Sequence, residues 1–196
     1  MSTVLVTGAT DGLGRALATR LAGEGATVLA HARSEERGRE ALAELLDGAG
    51  DVRLVVGDLA SLSAVRALAD QVPDRLDVLV LEDGYDGGRA YRQSKLAQIM
   101  HAFDMAEELQ GRGVTATALH PATFMDTKMV IDAGVTPAST VQEGLEATWR
   151  LVADPSVEGV SGAYFNGTRE VRADAQAYDL DARRRLRELS QRLVEV

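Results

Sequence analysis

A short apolar run, Thr3-Val4-Leu5-Val6, leads into Thr7-Gly8-Ala9-Thr10-Asp11-Gly12-Leu13-Gly14, and an amphipathic stretch follows at once. Strand, glycine turn and helix in that order constrain the fold more than any other feature of this chain. The glycines fall at the spacing G-x3-G-x-G. Gly8 permits a tight turn, Gly12 lets a phosphate approach the backbone, and Gly14 lets the helix pack close to the strand. The free N–H groups at the start of the helix, around Thr10, Asp11 and Leu13, would face an anion. A glycine triplet alone is a weak signal. Its position at the first βα turn of an alternating chain gives it weight.

The alternation continues. Ala26 to Ala30 reads as a second strand, and Ser34 as the N-cap of a helix reaching Leu46, with Glu35 and Glu36 in its first turn. Val52–Val56 is a third strand, Ser63–Val72 a helix, and Leu76–Val80 a fourth strand. This order predicts an α/β fold: a Rossmann-type, doubly wound parallel sheet with right-handed crossovers, in a single domain over residues 1–196. The rhythm then fails. Residues 81–90 are rich in turn formers, and a long helical pattern runs from Tyr91 to Gln110. A strand at Val114–Leu119, a helix at Ala138–Val152 capped near Ser139 or Thr140, a short strand at Gly162–Phe165 and a helix at Asp181–Val194 complete the pattern. The cluster Arg183-Arg184-Arg185 reads as a solvated face.

A formal charge of −9 argues against a nucleic-acid partner. No cysteine is present, which removes disulfides and thiolate metal sites. His31, His101 and His120 are too scattered for a metal spacing, so no metal is expected. No apolar run reaches membrane length, and a cytoplasmic location is the expectation.

The turn TGATDGLG resembles the cofactor turn of the short-chain dehydrogenase/reductase family, and further motifs resemble that family in order along the chain. Asp58-Leu59, after the third strand, resembles the segment at the adenine ring. Tyr91-Arg92-Gln93-Ser94-Lys95 resembles the YxxxK signature. His120-Pro121-Ala122-Thr123 resembles the segment lining the nicotinamide, with Ala122 where the family usually has Gly; Thr123 and Thr127 are alternatives for the carboxamide contact. The Ser161–Phe165 segment and the Leu189–Leu193 helix are similar to the retinol-dehydrogenase-like branch. On a helix, Tyr91 and Lys95 share a face. A free phenol titrates near 10, and a neighbouring ammonium lowers that value. Tyr91 is therefore the expected general acid/base, assisted by Lys95, in hydride transfer between a nicotinamide and a carbonyl or alcohol substrate. The resemblance adds that Lys95 holds the nicotinamide ribose. The second strand ends Ala32-Arg33-Ser34 with no acid, so Arg33 and Ser34 favour NADP over NAD, while Asp11 and Glu35 oppose.

Family members follow the fourth strand with an Asn-Asn-Ala-Gly turn, a long helix and a fifth strand ending in the catalytic serine. None of these is present: Val80 is followed by Leu81-Glu82-Asp83-Gly84-Tyr85. Ser94 points in a different helical direction from Tyr91 and is no substitute. The expectation is that several dozen residues are absent at the Val80/Leu81 junction. If the junction is continuous, at most six parallel strands should form, with the 114–119 strand beside the 76–80 strand or separated from it by a gap; the retained motifs favour a broken junction, whose missing segment would restore the serine and the strand. A dinucleotide-binding protein with impaired or no catalysis is the alternative function. A homo-oligomer is compatible with the resemblance.

Overall fold

The computed structural model describes residues 2–46, 50–81 and 89–194. The chain divides into two compact units. The first comprises Met1–Gly84 and Phe124–Leu145, and the second Tyr85–Thr123 and Glu146–Val196.

The first unit has a four-stranded parallel sheet. Its strands are β1 (Thr3–Val6), β2 (Thr27–Ala32), β3 (Val52–Val56) and β4 (Val78–Val80), in the order β3-β2-β1-β4. Val4, Val6 and Val28 are fully buried, as continuous apolar strands covered on both faces should be. Helix α1 (Gly12–Gly23) buries Leu13, Leu17, Ala18 and Leu21. Ala16, expected on that face, is only partly buried, and Ala18 takes its place. Helices α2 (Glu35–Leu46) and α3 (Leu62–Ala69) follow β2 and β3, and the Ser61 hydroxyl caps α3 by accepting from the Ala64 N–H. Leu5, Leu29, Val55 and Leu68 form one core cluster, with Val72 and Leu76 against it. The fourth strand is shorter than its apolar run: Leu76 packs against the core and pairing begins with the Asp77 N–H donating to the Thr3 carbonyl at 2.9 Å.

The second unit begins with α4 (Arg89–Glu108) and continues into β5 (Ala118–His120). A short helix α5 (Lys128–Asp132), which periodicity did not predict, lies in the intervening segment of the first unit. Helix α6 (Val141–Ala153) starts at a capping box. The Thr140 N–H donates to the Glu143 carboxylate at 2.7 Å, and the Glu143 N–H donates back to the Thr140 hydroxyl at 3.2 Å. Strand β6 (Tyr164–Asn166) runs parallel to β5, and β7 (Arg169–Val171) runs antiparallel to β6. Val114 to Thr117 were expected in the fifth strand but lie outside it; the chain there is largely exposed, and the ladder to β6 starts only at Ala118. Helix α7 (Leu180–Val194) packs on α4, where Met100, Phe103, Ala177 and Ala182 form the core with Leu96, Ile99 and Leu186 beside them.

Among the described residues six strands take part in parallel pairing, in two sheets, β3-β2-β1-β4 and β5-β6-β7. The expected strand at 114–119 therefore joins the later strands and not β4. Residues 82–88, on which the account of the junction turns, lie outside the described residues. No helix among the described residues is long and apolar enough to cross a membrane.

Candidate functional site

The glycine turn stands at the carboxyl ends of β1, β2 and β4. The Thr7 N–H donates to the Val80 carbonyl at 3.0 Å and the Ala9 N–H to the His31 carbonyl at 3.2 Å. Gly8 and Gly12 have φ of 62° and 52°, a region that L side chains rarely adopt. At Gly14 the constraint is space: a Cβ there would lie 2.4 Å from the Gly8 carbonyl oxygen and 3.1 Å from that of Thr7. The three glycines thus serve turn, turn and close approach. Asp11 caps the helix, its carboxylate accepting from the Gly12 N–H at 2.7 Å.

His31 plays a part its sequence context does not suggest. It is 5% exposed. Its Nδ1 accepts from the Gly8 N–H at 3.4 Å, and its Nε2 lies 2.7 Å from the Gly57 carbonyl oxygen. Because Nδ1 accepts, the proton sits on Nε2 and is donated to Gly57. One ring joins the glycine turn to the end of β3.

At that end of β3, Asp58 pairs with Arg33 at 3.7 Å, with side chains 49% and 74% exposed. The Asp58 carboxylate also accepts from the Ala60 N–H at 3.0 Å. Ser34 is half-buried at the start of α2, and its carbonyl accepts from the Gly38 N–H at 3.0 Å. Leu59 is exposed. On the other side of the turn, the Thr127 methyl carbon lies 3.3 Å from where a Cβ on Gly12 would stand. Lys128 follows; its hydrogen bond to Asp132, at 2.7 Å, holds its ammonium above the usual lysine range, and Asp11 adds a smaller effect in the same direction. Gly8, Thr10, Asp11, Gly12, Leu13, Gly14, Arg33, Ser34, Asp58, Leu59 and Thr127 therefore belong to the first unit.

Tyr91, Lys95, Pro121 and Thr123 belong to the second. Tyr91 and Lys95 lie four apart on α4, which gives them one helical face; the Tyr91 side chain is outside the described residues, and Lys95 is half-buried. Pro121 follows β5, and the Thr123 hydroxyl is 3.0 Å from His120 Nε2. Phe124 comes next with a φ of 44°, a strained conformation for a bulky side chain. No cluster of three or more potential metal-ligating residues occurs among the described residues.

The sequence model for short chain dehydrogenases matches residues 2–85, the stretch that carries the glycine turn and all four strands of the first sheet. Over that stretch the chain is similar to short chain dehydrogenases. It is similar to retinol dehydrogenase 14 of Mus musculus, 29% identical over 287 aligned positions that take in 99% of this chain and 86% of the relative. A stretch of 87 residues is 42% identical to a 3beta-hydroxysteroid dehydrogenase of Mediterraneibacter gnavus, covering 43% of this chain and 32% of that protein. Two solved structures share the fold. An actinorhodin polyketide ketoreductase variant with NADPH has a TM-score of 0.69 at 20% identity, over 84% of this chain and 95% of the other. A 3-ketoacyl-(acyl-carrier-protein) reductase from Brucella melitensis with NADH has a TM-score of 0.66 at 16% identity, over 84% and 96%. With this fold, the chain places its glycine turn where open α/β sheets take their ligands, outside the carboxyl ends of the strands.

Proposed function

We propose that this protein is an NADP(H)-dependent oxidoreductase that interconverts a carbonyl and an alcohol. The observation that carries the reading is the glycine turn, whose backbone is bare where a Cβ would block it and which leads directly into the N-terminus of a helix. This cradle fits a pyrophosphate. Arg33 and Ser34 would hold the 2′-phosphate, Asp58 and Leu59 the adenine end, and Thr127, Pro121 or Thr123 the nicotinamide end. The bound nicotinamide supplies or accepts the hydride. Lys95 holds the ribose and lowers the Tyr91 phenol, and Tyr91 exchanges a proton with the substrate oxygen.

NADP(H) is preferred over NAD(H) because no acid ends β2. The Arg33–Asp58 pair is no obstacle. Exposed pairs contribute about 0–1 kcal/mol, whereas a charge-assisted bond to phosphate contributes about 1.5–3 kcal/mol, roughly ten- to hundredfold in affinity. Arg33→Ala should therefore weaken NADP(H) by about that factor and leave NAD(H) nearly unchanged. Side-by-side calorimetric titrations check this, and equal or tighter binding of NAD(H) by the wild type would overturn the preference. For the chemistry, cofactor oxidation is followed over a panel of aldehydes, ketones and alcohols. Tyr91→Phe should abolish most turnover while leaving cofactor affinity intact, and Lys95→Ala should damage both. Unchanged turnover in Tyr91→Phe removes the catalytic assignment. Binding without turnover across the panel would mark a dinucleotide-binding protein instead.

A further inference from the structure

We propose that His31 is a positioning residue, an imidazole clasp that fixes the glycine turn against the Gly57–Asp58 corner and so supports dinucleotide binding. The inference rests on the dinucleotide reading for its ligand, though not for the clasp itself. Three strands meet at the ring. From β2 its Nδ1 takes the Gly8 N–H and its main-chain carbonyl takes the Ala9 N–H. Its Nε2 proton goes to the Gly57 carbonyl, while the Gly57 N–H donates to the Ala32 carbonyl at 3.1 Å. Gly57 cannot drift toward α3, because a Cβ there would already stand 3.2 Å from the Ala64 carbonyl oxygen and 3.2 Å from Leu68 Cβ. The ring therefore transmits the position of a constrained residue to the turn.

The clasp has a second consequence. It occupies the Gly8 N–H, as Asp11 occupies that of Gly12, so phosphate oxygens must be met by N–H groups further along, toward Leu13. It also requires Nδ1 to be bare. A protonated ring would direct an N–H at the Gly8 N–H, and both donors would be left without an acceptor in a buried place. The charged groups on the segments that meet here are Asp11 on the turn, Arg33 after β2 and Asp58 after β3. Arg33 and Asp58 pair with each other and Asp11 caps Gly12. Among the described residues none of the three bonds to the ring, so none would compensate its charge.

The test compares wild type with His31→Gln, whose amide can accept at one end and donate at the other, and with His31→Leu, which can do neither. Two readouts are used. Hydrogen–deuterium exchange without ligand reports on residues 7–14 and 57–60, with α7 as an internal control. Calorimetric titration with NADP+ at neutral pH reports on binding. His31→Leu should exchange faster in both segments and not in α7, and should bind about tenfold more weakly or worse. His31→Gln should restore both. Wild-type exchange and affinity in His31→Leu overturn the proposal, and so does a failure of His31→Gln to restore them. If the wild type takes no NADP+, the dinucleotide reading fails, and the exchange data alone decide the clasp. If His31→Leu does not fold, His31→Ser, too short to bridge Gly8 and Gly57, takes its place.

Discussion

Gly14 shows why part of this site was readable from single letters. Its residue type is dictated by a carbonyl 2.4 Å from the missing Cβ, and the constraint is local, so the spacing G-x3-G-x-G announces it. Gly14→Ala should push α1 off the turn, lower the melting midpoint and abolish dinucleotide binding. A variant that melts and binds like wild type would show that the helix can shift without cost. His31 left no such trace, because its partners lie 23 and 26 residues away and are backbone groups common to every residue. Arg183 misled in the same way. Three consecutive arginines read as a wet face, yet the structure buries the first at 5% exposure. Its Nε donates to the Asp104 carboxylate at 2.6 Å, and Glu107 lies 2.9 Å from its guanidinium. Arg187 reaches Asp104 at 3.2 Å and also pairs with Glu108. Burial disfavours the Arg183 charge, but the hydrogen bonds it donates to Glu107 and Asp104 outweigh that and hold the guanidinium above its ordinary range. Breaking a buried pair by removing one partner typically costs about 3–5 kcal/mol. Arg183→Ala should lose about that much in urea unfolding, and Arg184→Ala, whose pair with Asp181 is exposed, no more than about 0.5 kcal/mol. Equal losses would mean the burial of Arg183 carries no energetic weight.

At the scale of elements, periodicity found the four strands and three helices of the first sheet within a few residues, because each is a continuous buried run or a regular amphipathic stripe. It failed where pairing, not pattern, makes the strand. β7 is exposed throughout and exists through its ladder to β6. Its one local signal, Asn166-Gly167 before Thr168-Arg169, was passed over. Gly167, at φ 57°, opens a two-residue hairpin loop. β4 starts late for a related reason: Asp77 anchors the strand from its side chain as well as its backbone, the carboxylate accepting from the Thr3 N–H at 2.7 Å. That bond, followed by the Arg75 guanidinium at 3.0 Å, holds the Asp77 carboxyl below the usual range. A depressed carboxyl contributes stability that is present above its unfolded value of about 3.9 and is lost as pH falls through the lower folded value. Asp77→Asn should therefore lower the thermal midpoint at neutral pH, and the gap to wild type should close in strongly acidic solution. A gap that persists unchanged in acid would assign the effect to something other than the charge.

At the scale of the whole molecule, the missing segment was the boldest expectation; it stands as a proposal, and two observations motivate it. The alignment with the mouse relative runs over 287 positions, whereas this chain has 196 residues, although 99% of the chain takes part. Among the described residues β4 pairs only with β1, and β5 only with β6 among strands. Leu79 in β4 is 50% exposed and Leu81 just after it 63% exposed, on a strand whose apolar sequence suits burial. A parallel strand with one open side leaves N–H and C=O groups to water and wastes an apolar surface. Chain order carries that expectation, since motifs on either side resemble the family's; what the chain does at the junction falls on residues outside those described. Inserting between Val80 and Leu81 the segment of a family member that runs from its Asn-Asn-Ala-Gly turn to its serine tests the reading directly. If that segment restores the serine donor, turnover on the best substrate of the panel should rise about a hundredfold or more, the scale on which loss of one such donor is felt. The denaturation midpoint should rise as well, because the open side of β4 would be paired and Leu79 covered. Cofactor affinity should change little, because the glycine turn, His31 and Arg33 lie before the insertion. A folded chimera with wild-type turnover and stability would show that the shortened chain is complete as it stands, and that Tyr91 and Lys95 serve a geometry different from the one the family implies.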